Sequence, residues 1–127
     1  MNPVTQTIIL SASTLRMLPH IAIYLLHRKD IDADLTQVQD RRAGVLNFIK
    51  ACTRERTFRN LFYYRIGEYL SAPIRWMLPG ERTLNIWCPS IGKGAHLEHA
   101  YATYLNAEGI GERFYCLQMV TLANGTG

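Results

Sequence analysis

The chain has only three cysteines, Cys52, Cys88 and Cys116, at wide and irregular spacing. That excludes a zinc ribbon and a disulfide framework, and it fits a reducing, cytoplasmic setting. The net charge is +4, yet there is no regular basic stripe with interleaved aromatics. Most arginines fall between Arg41 and Arg82, behind the acidic cluster Asp30, Asp32, Asp34 and Asp40. This asymmetry reads as a solvated helical face, so no nucleic-acid partner is expected. Residues 8–26 are mostly apolar but are broken by Arg16, Pro19 and His20, and no lysine or arginine precedes them. A signal peptide and a membrane span are both poor readings of such a segment. The expectation is a helix that packs on its own domain or on another subunit, without membrane contact.

What is present suffices for a folded domain. Hydrophobic residues make up 48% of the 127, enough for a packed core and too many for global disorder. From about residue 5 to residue 78 the apolar positions recur at helical spacing, as in Leu15, Leu18, Ala22, Leu25 and Leu26. Pro19 should break or restart that helix. Asp34 and Gln37 resemble a capping box ahead of Val38. Phe58, Leu61, Phe62, Arg65 and Tyr69 fall along one side of a further helix, where aromatics signal core or subunit contact. Pro73, Pro79 and Gly80 punctuate its end, and Pro79-Gly80-Glu81-Arg82 marks the expected domain boundary.

After Arg82 the period changes. Ile91, Leu97 and Thr103 are six residues apart, as are Ile110, Cys116 and Leu122, with one seven-residue step between the series. A six-residue repeat implies a hexapeptide β-helix, in which every sixth side chain points into a three-sided prism. Only aliphatic or small residues fit there, and the corners favour glycine and other small residues.

The same segment carries the candidate chemistry. In KGAHLEHAY, His96 and His99 flank Glu98. A metal site needs three or four convergent ligands. Only these two histidines follow Arg82, so no metal is expected. A single histidine can instead act as a general base, because its free pKa lies near working pH.

The ordered set Glu98-His99, Ala100 to Ala102, Ile110-Gly111, Gln118 and the run Val120 to Gly127 resembles the serine O-acetyltransferase family. Arg59 to Arg65 is similar to the helical lead-in of its bacterial members. The resemblance covers about a third of the chain and implies a left-handed parallel β-helix. The fold class is then α+β, with a helical domain at residues 1–82 and an incomplete β-helix of two to three coils at residues 83–127. By resemblance, His99 is the catalytic base and Glu98 binds the amino-acid acceptor where the family has an aspartate. Asn85 stands near a family aspartate that orients the histidine, and Ala123, Asn124 and Gly125 lie on the acetyl-CoA side. His96 is expected to be solvent-exposed or a minor contact.

The resemblance implies an acetyl-CoA-dependent acyltransferase acting on L-serine, as in cysteine biosynthesis, and assembled as a homotrimer or dimer of trimers. A sugar hydroxyl in surface polysaccharide synthesis is the alternative acceptor, and a non-catalytic oligomerisation module is the alternative role. Family members continue beyond the glycine-rich run with further coils that complete the coenzyme A site. The sequence stops at Gly127, so the resemblance implies a chain shortened at its C-terminal end relative to the family.

Overall fold

The computed structural model describes residues 2–6, 17–38 and 42–123. Among the described residues, 3–6 are helical, and the helices that follow are α1 (Leu18–Leu26), α2 (Arg28–Leu35), α3 (Val45–Arg54), α4 (Arg56–Ile66) and the short α5 (Glu68–Ser71). Pro19 sits in the first turn of α1, where its missing N–H has no helical partner to lose. Gly44 precedes α3 and Gly67 separates α4 from α5. Gly67 has φ +88°, a left-handed conformation that a side chain would strain.

The helical apolar pattern orients differently from its sequence reading. Leu18, Leu25 and Leu26 are exposed, and α1 instead buries His20 and Tyr24, next to buried Met17. Leu15 lies outside the described residues, as do residues 7–16 of the apolar N-terminal segment. Tyr24 stacks on Phe48 with ring centroids 4.4 Å apart, and Phe48 meets Phe62 edge-on at 4.9 Å. Such pairs each add about 1 kcal/mol to the burial of the rings. Tyr69 is almost fully exposed, because the break at Gly67 turns the chain away from the axis of α4. Among the described residues, no helix is long and apolar enough to cross a membrane.

Helix α4 is buried on two sides. Phe58, Phe62 and Ile66, at four-residue spacing, enter the helical core. Leu61, on another side, enters a second core with Leu84, Ile91, Leu97, Ala100, Leu105 and Cys116. That second core belongs to five short strands: β1 (Leu84–Trp87), β2 (His96–Leu97), β3 (Thr103–Asn106), β4 (Tyr115–Cys116) and β5 (Thr121–Leu122).

Here the expectation of a left-handed β-helix is corrected. The strands form two small parallel sheets, one of order β1-β3-β5 and one pairing β2 with β4. What would be a third side is reduced to a single bridge between Ile91 and Ile110. A hexapeptide prism needs a constant coil of about 18 residues. Here Leu84 lies beside Thr103 and Leu97 beside Cys116, steps of 19, whereas Leu105 lies beside Leu122, a step of 17. The changing step offsets Leu122 from the Thr103 rung that the six-residue count assigned to it. The inward positions were nonetheless legible: Ile91, Leu97, Thr103 and Cys116 are buried. Gly92 marks a close layer contact, where an added Cβ would stand 2.5 Å from the Glu112 nitrogen.

One ion pair ties the helices to this region. The Arg65 guanidinium donates to both carboxylate oxygens of Asp34, at 2.8 and 2.9 Å. It also donates to the carbonyl of Gly92 at 2.7 Å and to that of Ile91. Asp34 Oδ1 accepts the backbone N–H groups of Gly94 (3.0 Å) and Ala95 (2.9 Å) as well. Both side chains are almost fully buried. The capping-box reading of Asp34 is therefore corrected: it lies near the C-terminal end of α2, and its carboxylate serves tertiary contacts.

Two predictions follow from these buried polar groups. Arg65→Met leaves Asp34 buried without its cation and should lower stability by about 3–5 kcal/mol in urea unfolding. Adding Asp34→Leu should recover only part of that, because the Gly94 and Ala95 amides then lose their acceptor. His20 is fully buried and hydrogen-bonded through Nε2 to the Tyr63 hydroxyl at 2.9 Å. Burial, and secondarily the charge of Arg59, lowers its pKa to about 4. The folded value lies below the unfolded one, about 6.5, so this stability is complete above pH 6.5 and drains away as pH falls towards 4. Thermal melts between pH 7 and 4 should show this loss, and His20→Gln should flatten it.

Candidate functional site

His96 and Leu97 form β2, and the chain then turns sharply through Glu98 and His99. Leu97 anchors the turn in the second core, with His96 and Glu98 half-buried on either side of it. His99 adopts φ +48°, and its carbonyl accepts the N–H of Tyr101 at 2.7 Å. Left-handed residues recur at Gly94, Ala102, Arg113 and Met119, so this conformation belongs to the turns of the whole region. His99 is exposed, and its ring lies near that of Tyr101, with centroids 6.0 Å apart.

Glu98 and His96 are more enclosed. The Glu98 amide donates to the Cys116 carbonyl at 3.0 Å, and its carboxylate accepts the Tyr115 hydroxyl proton. That bond raises the Tyr115 pKa above its ordinary value, since the neutral phenol is the form that donates. His96 packs edge-on against Tyr115 with centroids 5.4 Å apart. Its Nε2 is buried without a hydrogen-bond partner. Of the two expectations for His96, exposure or a minor contact, the structure shows a half-buried residue in contact: pairing of β2 with β4 sets its ring against Tyr115.

A further carboxylate comes from the helical half. Glu55 is the single non-helical residue between α3 and α4, in extended backbone (φ −121°, ψ 110°), and is half-buried. Burial raises its carboxyl, the charges of His96 and then His99 pull it back down, and Glu98 raises it. Glu55 also lines a groove together with Arg42, Lys50 and Arg54. The histidine turn and β4 thus gather two imidazoles, one carboxylate and a phenol from two separate stretches of chain.

The other residues singled out from the sequence lie elsewhere. Asn85 is exposed on β1, lining an open groove with Tyr64, Glu68, Arg75 and Trp87. No hydrogen bond or ring contact joins it to His99. Ala123 is exposed, in a separate groove with Asn106, Glu108 and Thr121. Asn124 and Gly125 lie outside the described residues. Among the described residues, no three His, Cys, Asp or Glu side chains are placed to hold a metal ion. Glu55 was missed because it stands between Arg54 and Arg56 with no motif around it. Helix α4, which Glu55 precedes, packs against β2, the strand that carries His96.

The chain matches no family model, no curated protein and no solved structure.

The Glu98–Tyr115 bond can be tested in isolation. Glu98→Gln removes the charged acceptor and should return the Tyr115 titration towards the ordinary value of about 10. The ring resonances of Tyr115 followed by NMR from pH 8 to 12 measure this. An unchanged midpoint would mean that the bond does not form in solution.

Proposed function

We propose that the chain is an acetyl-CoA-dependent O-acetyltransferase with His99 as general base and L-serine as acceptor. One observation carries the reading: the exposed His99 stands on the turn after β2, next in sequence to Glu98, whose carboxylate accepts the Tyr115 hydroxyl. That pair is the one for which the resemblance to serine O-acetyltransferases implies these roles. Two grooves near the ends of the strands could admit the larger co-substrate, and the one containing Ala123 is the one the resemblance favours.

The chemistry needs few groups. The acceptor hydroxyl attacks the thioester carbonyl carbon while His99 removes the hydroxyl proton. A C–O bond forms as the C–S bond breaks. The imidazolium then returns the proton to the departing thiolate, leaving an O-acetyl ester and coenzyme A. Imidazole suits both transfers because it gains and loses a proton near neutrality. Binding both substrates side by side supplies a further large share of the rate. Glu98 attracts the ammonium group of serine through the carboxylate oxygen that Tyr115 does not hold. A homotrimer or dimer of trimers acting in the cytoplasm completes the reading, in keeping with three buried free thiols.

The test follows thiol release from acetyl-CoA, first with L-serine and then with candidate sugars. The buried cysteines should keep the background of the thiol reagent low. Serine-dependent release is expected, with His99→Ala lowering it by about 100-fold or more. Release with a sugar alone would move the acceptor to a sugar hydroxyl. Absence of release with every acceptor, or full activity in His99→Ala, would overturn the proposal in favour of a non-catalytic assembly module.

A further inference from the structure

We infer that the outer face of the β1-β3-β5 sheet, together with the groove that adjoins it, is a binding surface for a neutral oligosaccharide chain. The inference stands apart from the acyl-transfer reading, because His96 belongs to the other sheet, and Glu98 and His99 to the turn that follows it.

Strand alternation and register assemble the face. Leu84 and Ile86 of β1, Leu105 of β3 and Leu122 of β5 pack into the strand core. Asn85 and Trp87, Tyr104 and Asn106, and Thr121 are therefore on the opposite side of the sheet. Parallel pairing sets Asn85 beside Tyr104 and Tyr104 beside Thr121, and it sets Trp87 beside Asn106. One row thus carries an amide, a phenol and a hydroxyl, and the next carries an indole and an amide. Strands lie about 4.8 Å apart and alternate residues about 6.6 Å apart, so the Trp87 and Tyr104 positions stand diagonally about 8 Å from each other. Trp87 is 63% exposed and Tyr104 39%, so the rings are left open to solvent. Among the described residues, none of the five side chains has a hydrogen-bond partner.

Asn85 and Trp87 also line a groove of about 540 Å³, together with Glu68, Ser71 and Arg75 from α5 and the turn after it. That volume suits a small ligand or the end of a chain. The groove is pre-formed, because the Asn60 side chain fastens Glu81 and Leu84 to α4, and the Tyr64 hydroxyl fastens Cys88. At its other edge, Asn106 and Thr121 border the groove that contains Ala123.

Charge decides the class of occupant. None of the five face residues is charged, and the groove carries two charges of each sign, Glu68 and Glu81 against Arg75 and Arg82. Glu68 and Arg75 already pair at 2.7 Å. A nucleic acid or an acidic peptide would find no net positive charge to draw it. A protein core or a lipid surface would need contiguous apolar area, whereas here amides and a hydroxyl alternate with the rings. A sugar ring meets both kinds of group: its C–H face packs on an aromatic ring, and its hydroxyls donate and accept as an Asn amide does. The diagonal of Trp87 and Tyr104 places two such rings far enough apart to take different units of one chain.

The experiment applies the intact, fluorescently labelled chain to an array of neutral gluco-, galacto-, manno- and N-acetylhexosamine oligosaccharides, with uronic-acid oligosaccharides and single-stranded DNA alongside. Binding to at least one neutral oligosaccharide is expected, and added salt should not weaken it. Trp87→Ala and Tyr104→Ala should each lower the affinity by about 10-fold or more, with thermal melts like that of the wild type. Asn85→Ala should lower it less. In Trp76→Phe, where Trp87 is the one remaining tryptophan, the indole N–H resonance should shift saturably with the same oligosaccharide. Binding to no neutral oligosaccharide, binding to the acidic polymers alone, or undiminished affinity in both alanine variants would overturn the inference. Thiol release from acetyl-CoA has no part in these readouts, so failure of the acyl-transfer reading and failure of this one are told apart.

Discussion

The Asp34–Arg65 pair is the contact on which the arrangement depends. One buried carboxylate accepts from a guanidinium and from two successive backbone amides, while the same guanidinium caps two carbonyls of the facing loop. Burying either charge alone would cost several kcal/mol, and the pair persists because nearly every polar atom around it is satisfied. Burial works to raise the Asp34 carboxyl, and Arg65 with the Ala95 and Gly94 amides works against that. The outcome is a geometric lock between α2, α4 and the loop from Ile91 to Ala95. That loop leads directly into β2 and the histidine turn.

Helix α4 extends the lock into a shared wall. Its phenylalanines close the helical core, Leu61 joins the strand core, and the Tyr64 hydroxyl donates to the Cys88 carbonyl at 2.7 Å. Asn60 adds bonds to Glu81 and Leu84, so the start of β1 is fastened to the same helix. A helix buried on two faces cannot shift towards one without opening the other. The beginning of α4 therefore keeps a constant relation to the strands.

How much of this was legible can be judged residue by residue. The change from helical to strand-like periodicity after Arg82 is real, and Ile91, Leu97, Thr103 and Cys116 do point inward. Six-residue spacing could identify inward positions because alternation on a short strand is a local property. It could not establish the architecture, which depends on equal coil lengths and on three continuous ladders. On the helical side, Leu18, Leu25 and Leu26 read as a buried stripe but are exposed, while His20 takes a core position. A polar residue can sit there because Tyr63 supplies a hydrogen-bond partner from 43 residues away, which no local pattern encodes. The histidine turn itself was legible as a cluster, whereas Tyr115 was not.

The sequence by itself determined the local matters: where helices give way to strands, which positions along a strand are apolar, and that His96, Glu98 and His99 travel together. These follow from backbone periodicity and from adjacency in the chain. Only the tertiary structure decided that Asp34 meets Arg65 and that the Tyr115 hydroxyl donates to the Glu98 carboxylate. Those pairings join residues 31 and 17 positions apart. Their formation depends on how the two cores close around α4, and a buried polar group selects its partner only once that closure has removed the water.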